Sequence, residues 1–402
     1  MDDELAVTGA LNPFSPGAGR PPKELVGRTQ ELDAMRTIIL RTAAGYTNRG
    51  LIFSGLRGVG KTVLLHRMMQ MAKQAGLMTF RLEPSGSYDH DVAALTKDME
   101  RSIRRYRRAH FQQRAKDVVE RVQSLNIQTP LAGAEITLHA PTPTDSALEL
   151  EIAVEDLSEI LAEEHSGLFL FLDEFQEMDT RLMGTLIGLQ HRLGQDMLPF
   201  YIIGTGLPNL PGVLTASRSY AERLFEYHEI GGLSDATVAR CLQETVEQSG
   251  QRFTEEALNR LVLDAQGYPY YLQAYGEAAF NETTSNPIPL DAVLAGEPQA
   301  LRILDNGLYD SRWQRSTQLG RQYMHAMASL NTDTCDTAAI ADALHRKAHD
   351  LTSVRKNLIE LGLIYAPERG KVAFTIPGMA DYIQRTNPAD TLPYDAKNGV
   401  SH

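Results

Sequence analysis

The rhythm of apolar residues changes along the chain, and each change marks off a region. Up to about residue 232, short apolar runs alternate with stretches in which apolar residues recur every three or four positions. The runs are Leu51-Ile52-Phe53, the mixed stretch 77–82, Leu168-Phe169-Leu170-Phe171-Leu172 and Phe200-Tyr201-Ile202-Ile203. Runs this short and this apolar predict strands buried on both faces, as in a parallel sheet. Between them, residues 29–41 place Leu32, Met35, Ile38 and Ile39 on one helical face, and 63–69, 91–125 and 148–162 also read as helices. Residues 134–138 read as a small hairpin strand before Pro141 and Pro143.

From Ser234 the alternation stops. Three helices are predicted at 235–248, 255–265 and 270–281, with Ser234 and Thr254 as N-caps and Gly267-Tyr268-Pro269 separating the second from the third. Cys241 falls in the apolar stripe of the first. Pro287, Pro289 and Pro298 read as a linker. Beyond residue 301, helices at 321–330, 337–345 and 351–362 precede two short strands, Leu363-Ile364-Tyr365 and Lys371-Val372-Ala373-Phe374, around a turn at Pro367-Glu368-Arg369-Gly370. Three helices and a hairpin describe a winged helix-turn-helix. The expected organisation is an extended, proline- and glycine-rich lead-in (1–22), an α/β core (23–232), a helical lid (233–290), a winged-helix domain (299–388) and a disordered tail (389–402).

Composition adds limits. The 402 residues carry a net charge of −12, so any contact with nucleic acid must use a local basic surface. Residues 91–125 supply one local reversal of sign, with Arg101, Arg104, Arg105, Arg107, Arg108, Arg114, Lys116 and Arg121; it reads as a solvated helix face, with a nucleic-acid or acidic-partner contact as the alternative. Cys241 and Cys335 lack the spacing of a disulfide framework or a zinc site. The start Met-Asp-Asp-Glu has no export signature and no apolar run is long enough to span a bilayer, so we expect a cytoplasmic chain with no membrane role.

The candidate chemistry centres on Gly55-Leu56-Arg57-Gly58-Val59-Gly60-Lys61-Thr62, which fits G-x-x-x-x-G-K-[ST] between a strand and the helix that begins near Val63. Its glycines let backbone N–H groups point at phosphate oxygens, Lys61 would bridge β- and γ-phosphates, and Thr62 would hold Mg²⁺. The buried run 168–172 ends in Asp173-Glu174, which places Asp173 to hold the Mg²⁺ water shell and Glu174 to orient and deprotonate an attacking water. Thr205 first and Asn209 second are candidates to sense a γ-phosphate at the end of the 200–203 strand, with plain turn chemistry as the alternative. Arg218 or Arg223 can neutralise transition-state charge, or simply bind a surface carboxylate. The basic residues of the winged-helix region include Arg346, Lys347, Arg355, Lys356, Arg369 and Lys371, nearly balanced by Asp342, Asp350, Glu360 and Glu368, and Arg355, Lys356, Arg369 and Lys371 are the cations a duplex would meet.

Together these stretches resemble a family. Gly55 to Thr62 resembles Walker A and Leu168 to Glu174 resembles Walker B. The order of core, lid and winged helix resembles the AAA+ ATPases of the origin-recognition, initiator-loader type. The opening Asn12-Pro13-Phe14 and Val26-Gly27-Arg28 look closer still to a group of bacterial ATP-binding proteins with that domain. The resemblance spans about Asn12 to Arg385. It implies a P-loop NTPase sheet in the order 5-1-4-3-2, Val26, Gly27 and Arg28 beside the adenine, ATP or ADP with Mg²⁺ as ligands, and Arg218 rather than Arg223 as an arginine finger. One departure is that Gly267-Tyr268-Pro269-Tyr270 stands where initiator relatives carry a sensor arginine. A Gly-x-Pro there resembles STAND-type signalling ATPases, which implies Pro269 near the nucleotide and slow turnover. The expected activity is that of an ATP-dependent switch with slow hydrolysis, acting on DNA or a partner and able to form a homo-oligomer. The rival is a non-hydrolysing regulator that keeps nucleotide as a structural ligand and uses the winged helix for protein contacts.

Overall fold

The computed structural model describes residues 11–17, 27–106, 111–126 and 143–387. Contacts divide the chain into two units, one of Pro21–Gly55 and Lys61–Ile230, the other of Met1–Arg20, Leu56–Gly60 and Gly231–His402.

In the first unit β1 (Gly50–Ser54), β2 (Met78–Leu82), β3 (Leu168–Leu172), β4 (Phe200–Gly206) and β5 (Phe225–Glu229) form one sheet in the order β2-β3-β4-β1-β5. Every pairing is parallel. This is the expected order 5-1-4-3-2 seen from the other edge. Every residue of β1, β3 and β4 is buried, as unbroken apolar strands require. Register sets Ser54 beside Gly206 and Leu172 beside Gly204, so the carboxyl ends of the three central strands finish together. The strands alternate with helices α1 (Thr29–Ala43), α2 (Lys61–Gln74), α3 (Tyr88–Arg105), α4 (Phe111–Arg114), α5 (Lys116–Asn126), α6 (Pro143–Glu163), α7 (Thr180–Gln195), α8 (Leu210–Ser217) and α9 (Ala221–Leu224). Met99 of α3, Val122 of α5, Leu157 of α6 and Leu186 of α7 share a core with Leu170 and Ile202 of the sheet.

Two details differ from expectation. The basic stretch is not one helix: α3 ends at Arg105, and Tyr106 turns in to bond Ser166 (2.7 Å) and meet the edge of Phe111. Its cations are largely matched by acids, Arg104 with Glu100 (2.7 Å), Arg121 with Glu149 (2.9 Å) and Lys116 with Glu120 (3.8 Å), as on a solvated face. Arg107, Arg108 and the strand expected at 134–138 lie outside the described residues. Strand β4 also runs on through Thr205 to Gly206, so Thr205 sits inside the sheet rather than in the turn after it.

The second unit opens with α10 (Asp235–Glu247), α11 (Glu255–Ala265) and α12 (Pro269–Asn281). Ser234 caps the first by accepting from the Thr237 N–H and Thr254 caps the second by accepting from that of Ala257. Pro269 takes the first position of the third, where its missing N–H has no partner to lose. The linker expected from Pro287, Pro289 and Pro298 is instead α13 (Leu290–Leu304) with Pro298 inside it. An interior proline costs roughly 3 kcal/mol, but Ala292, Val293, Ala300 and Leu304 bury one face, and Gly296 lies directly against Ala278 and Ala279. Next come α14 (Asp310–Arg315), α15 (Gln318–Ser329), β6 (Cys335–Asp336), α16 (Thr337–Ala343), α17 (Thr352–Glu360), β7 (Ile364–Tyr365), β8 (Lys371–Phe374) and α18 (Met379–Thr386). The three strands form an antiparallel sheet in the order β6-β8-β7. One hydrophobic core runs from Leu242 and Phe280 through Tyr323 and Leu358 to Ile383.

Part of the lead-in belongs to that core. Phe14 is buried against Phe253 and over Gly276, while Asn12 donates to the Glu277 carbonyl (3.0 Å) and to Asn281 (2.8 Å). The tail 389–402 lies outside the described residues.

Candidate functional site

The loop after β1 leaves the sheet at Gly55, whose N–H donates to the Gly206 carbonyl (3.1 Å). A Cβ there would meet the Ile230 carbonyl at 2.2 Å, so the position admits only glycine. The loop re-enters the unit at Lys61, the first residue of α2. The Lys61 ammonium is buried and donates to the Gly55 carbonyl (3.0 Å), which holds a cation at the mouth of the loop. Thr62 and Val63 follow, half-buried, in the first turn of α2, the end of a helix that favours an anion.

Residues 56–60 belong to the second unit. Gly58 and Gly60 take positive φ (84° and 92°), and Val59 is buried. The Arg57 N–H donates to the Thr375 carbonyl (2.9 Å), and its guanidinium lies against Gly362, where a Cβ would stand 2.7 Å from Nη2. A Cβ at Gly60 would lie 3.9 Å from Cγ of Pro269, and one at Gly58 would lie 3.8 Å from Tyr270. Pro269 is thus beside the loop glycines.

At the end of β3 the Asp173 N–H donates to the Leu82 carbonyl (3.2 Å), and its carboxylate accepts from the Thr205 hydroxyl (2.5 Å). Both side chains are buried. Glu174 adopts a left-handed backbone (φ 49°), unusual for a residue with a side chain and a conformation that collects at functional sites. Its carboxylate accepts from the Gln176 amide (2.6 Å). Asn209 follows β4 with its side-chain oxygen buried. The structure therefore brings Asp173, Glu174 and Thr205 together on neighbouring strand ends, with Gly55 bonded to the same end of β4.

Arg28 is buried beside Glu31 (3.9 Å), and burial holds its guanidinium below the usual arginine range despite that acid. Gly27 takes φ 78°, and Val26 lies outside the described residues. Arg218 is exposed and donates from Nε to the Gly184 carbonyl of α7 (3.3 Å); Arg223 is also exposed. In the hairpin region Arg369 is exposed, Arg355 is half-buried, Lys356 pairs with Glu360 (3.6 Å) and Lys371 with Glu368 (3.2 Å).

The donor set fits Mg²⁺. A hydroxyl and one carboxylate are hard oxygen ligands, and this ion keeps several waters and takes the rest of its shell from substrate phosphates. Among the described residues no cluster of three acidic, histidine or cysteine side chains offers an all-protein metal cage. No helix among them is long and apolar enough to cross a membrane.

Gln176 is the contact the sequence reading missed. Its signal was the Asp-Glu-Phe-Gln string, an amide two residues beyond the candidate base.

Residues 24–203 match the AAA ATPase domain family, and residues 306–383 match a Domain of unknown function (DUF8462). Among solved structures the chain is similar to the Walker-type ATPase of Pyrococcus abyssi, at 15% identity and a TM-score of 0.60 over 92% of this chain and 99% of that one. It is also similar to the ORC2 protein of Aeropyrum pernix, solved as ADPNP-ADP complexes, at 14% identity and a TM-score of 0.55 over 92% and 95%. At such identities the likeness is one of fold. No curated protein matches the chain.

Proposed function

We propose that this chain, whose residues 24–203 match the AAA ATPase domain family, is an ATP-dependent switch with slow hydrolysis. In this reading its nucleotide state governs how a helical lid (233–290) and a C-terminal winged helix (299–388) engage duplex DNA or a protein partner. The observation that carries the proposal is the bond from Thr205 to Asp173 (2.5 Å), which joins two buried polar groups at the carboxyl end of the sheet, where β4 lies beside β1, the strand that feeds the phosphate loop. Lys61 offsets β- and γ-phosphate charge. Glu174 accepts a proton from the water whose oxygen attacks the γ-phosphorus as the bond to the bridging oxygen breaks, releasing ADP and phosphate. Thr62 and Asp173 would hold Mg²⁺, which when bound neutralises charge across the β- and γ-phosphates. Coupling to the C-terminal region is supported by the loop itself, since the Arg57 N–H is engaged by Thr375.

The test uses two variants. Lys61→Ala should abolish tight ATP binding. Glu174→Gln should keep binding and lower turnover by roughly 10²-fold or more, because an amide fills the same space and accepts no proton. Unchanged affinity in the first would mean the loop is not the site. A parent chain that binds ATP without consuming it would favour the non-hydrolysing regulator, a reading that the proline at position 269 in place of an arginine supports.

A further inference from the structure

We infer that Gln176 is a positioning residue for hydrolysis, holding the Glu174 carboxylate at a fixed place relative to the end of β4; the inference rests on the assignment of Glu174 as base. The Gln176 amide makes two bonds of opposite kind. Its Oε1 accepts from the Leu207 N–H (3.1 Å), the first backbone group after β4, and its Nε2 donates to Glu174 (2.6 Å), with a longer contact to Glu177 (3.3 Å). The orientation is dictated by chemistry. A backbone N–H only donates, so the oxygen must face Leu207, which leaves the NH₂ for the carboxylates.

The surrounding backbone is shaped for this bridge. A Cβ at Gly206 would stand 2.2 Å from Oε1 of Gln176, so the amide occupies space that only glycine leaves open. The carbonyl of the same Gly206 accepts from Gly55 at the start of the phosphate loop, and Thr205, one residue earlier, holds Asp173. Three consecutive residues of one strand end thus touch the metal-binding acid, the phosphate loop and, through Gln176, the base. The left-handed backbone at Glu174 gains a reason as well. It turns the chain so that a side chain two residues on reaches back to the carboxylate.

Gln176→Glu separates the two bonds. The new carboxylate still accepts from Leu207, but it has no proton for Glu174 and repels it. Misplacing a reacting group by about 1 Å costs on the order of 10²-fold, so we expect kcat to fall by roughly 10- to 10²-fold with equilibrium ATP affinity unchanged. In a Glu174→Gln background the same change should lower turnover no further, because the amide acts through that carboxylate; a structural defect would add to the loss. Should Gln176→Glu fail to fold, Gln176→Ala removes the bridge without adding charge and carries the same expectations. A kcat equal to the parent's, a rise in kcat, or an equal loss in both backgrounds would overturn the inference. A parent chain that binds ATP and hydrolyses none would overturn the base assignment and this inference with it; a parent that hydrolyses while the variants match it would overturn this inference alone.

Discussion

Replacing Thr205 by valine removes one hydroxyl from the centre of the site and leaves its shape. The hydroxyl is fully buried on β4 and donates to Asp173, itself almost inaccessible, at 2.5 Å. A hydrogen bond to a charged group is worth about 1.5–3 kcal/mol, and the partner left behind is a buried carboxylate with one donor fewer. Thr205→Val should therefore lower the stability of the nucleotide-free protein by about that amount, roughly 10- to 10²-fold in the unfolding equilibrium. Urea unfolding followed by circular dichroism measures it, with Thr205→Ser as the control that keeps the hydroxyl. Turnover should fall more than ATP affinity, since the acid is misaligned while the phosphate loop is intact. A valine variant as stable and as active as the parent, with serine no different, would refute the idea that this bond organises the site.

If Arg218 acts on a neighbouring subunit's nucleotide, mixing inactive Arg218→Ala with inactive Lys61→Ala protein should restore some hydrolysis, and no recovery in mixtures shown to co-assemble would remove that role. Duplex DNA bound through Arg355, Lys356, Arg369 and Lys371 should lose affinity in Lys356→Glu/Lys371→Glu, with the slope of log affinity against log salt falling by roughly 0.9 per phosphate contact. The acids now beside those lysines form exposed pairs worth little, so they are exchangeable for phosphate; absence of binding by the parent at low salt would recast the domain as a protein-docking surface. The imidazole of His66 is held below its ordinary 6.5, first by burial and then by the charge of Arg81. Below that value the unfolded chain binds a proton that the folded chain resists, so stability falls as pH falls, until the folded imidazole also protonates. His66→Gln should flatten that limb of a stability-against-pH curve, and an unchanged slope would exclude His66 as its source.

What was legible followed from burial on both faces. β1 and β3 show as apolar runs because every side chain is covered, and the phosphate loop and Asp173-Glu174 show because they adjoin such runs. β5 reads Phe-Glu-Tyr-His-Glu and is mostly half-buried at the sheet edge, so its apolar signal is weak. Pro298 reads locally as a breaker, yet helix α13 is decided by packing on Ala278 and Ala279, which no local window contains. The same holds for α18, eight residues long, which is held by Tyr382 stacked on Tyr309 and by Arg385 on Asp305 (2.7 Å). Gln176 was invisible for a related reason. Its role depends on Leu207, 31 positions away and adjacent only through the pairing of β3 with β4.

Phe14 has a consequence for where this chain can be cut. The family match begins at residue 24, yet Phe14 fills the hollow above Gly276, and Asn12 reaches a residue 269 positions later. The α/β unit is in effect spliced into the middle of the other unit's sequence. During synthesis the arm emerges well before helix α12, on which it packs. Closing so long a loop adds only slowly to the entropic cost, since that cost grows with the logarithm of length. A chain started at residue 24 would leave the hollow unfilled and forfeit about 1.5–3 kcal/mol of aromatic burial. A fragment of residues 231–402 would carry the same gap, and a synthetic peptide spanning residues 11–17 is the piece that fits it.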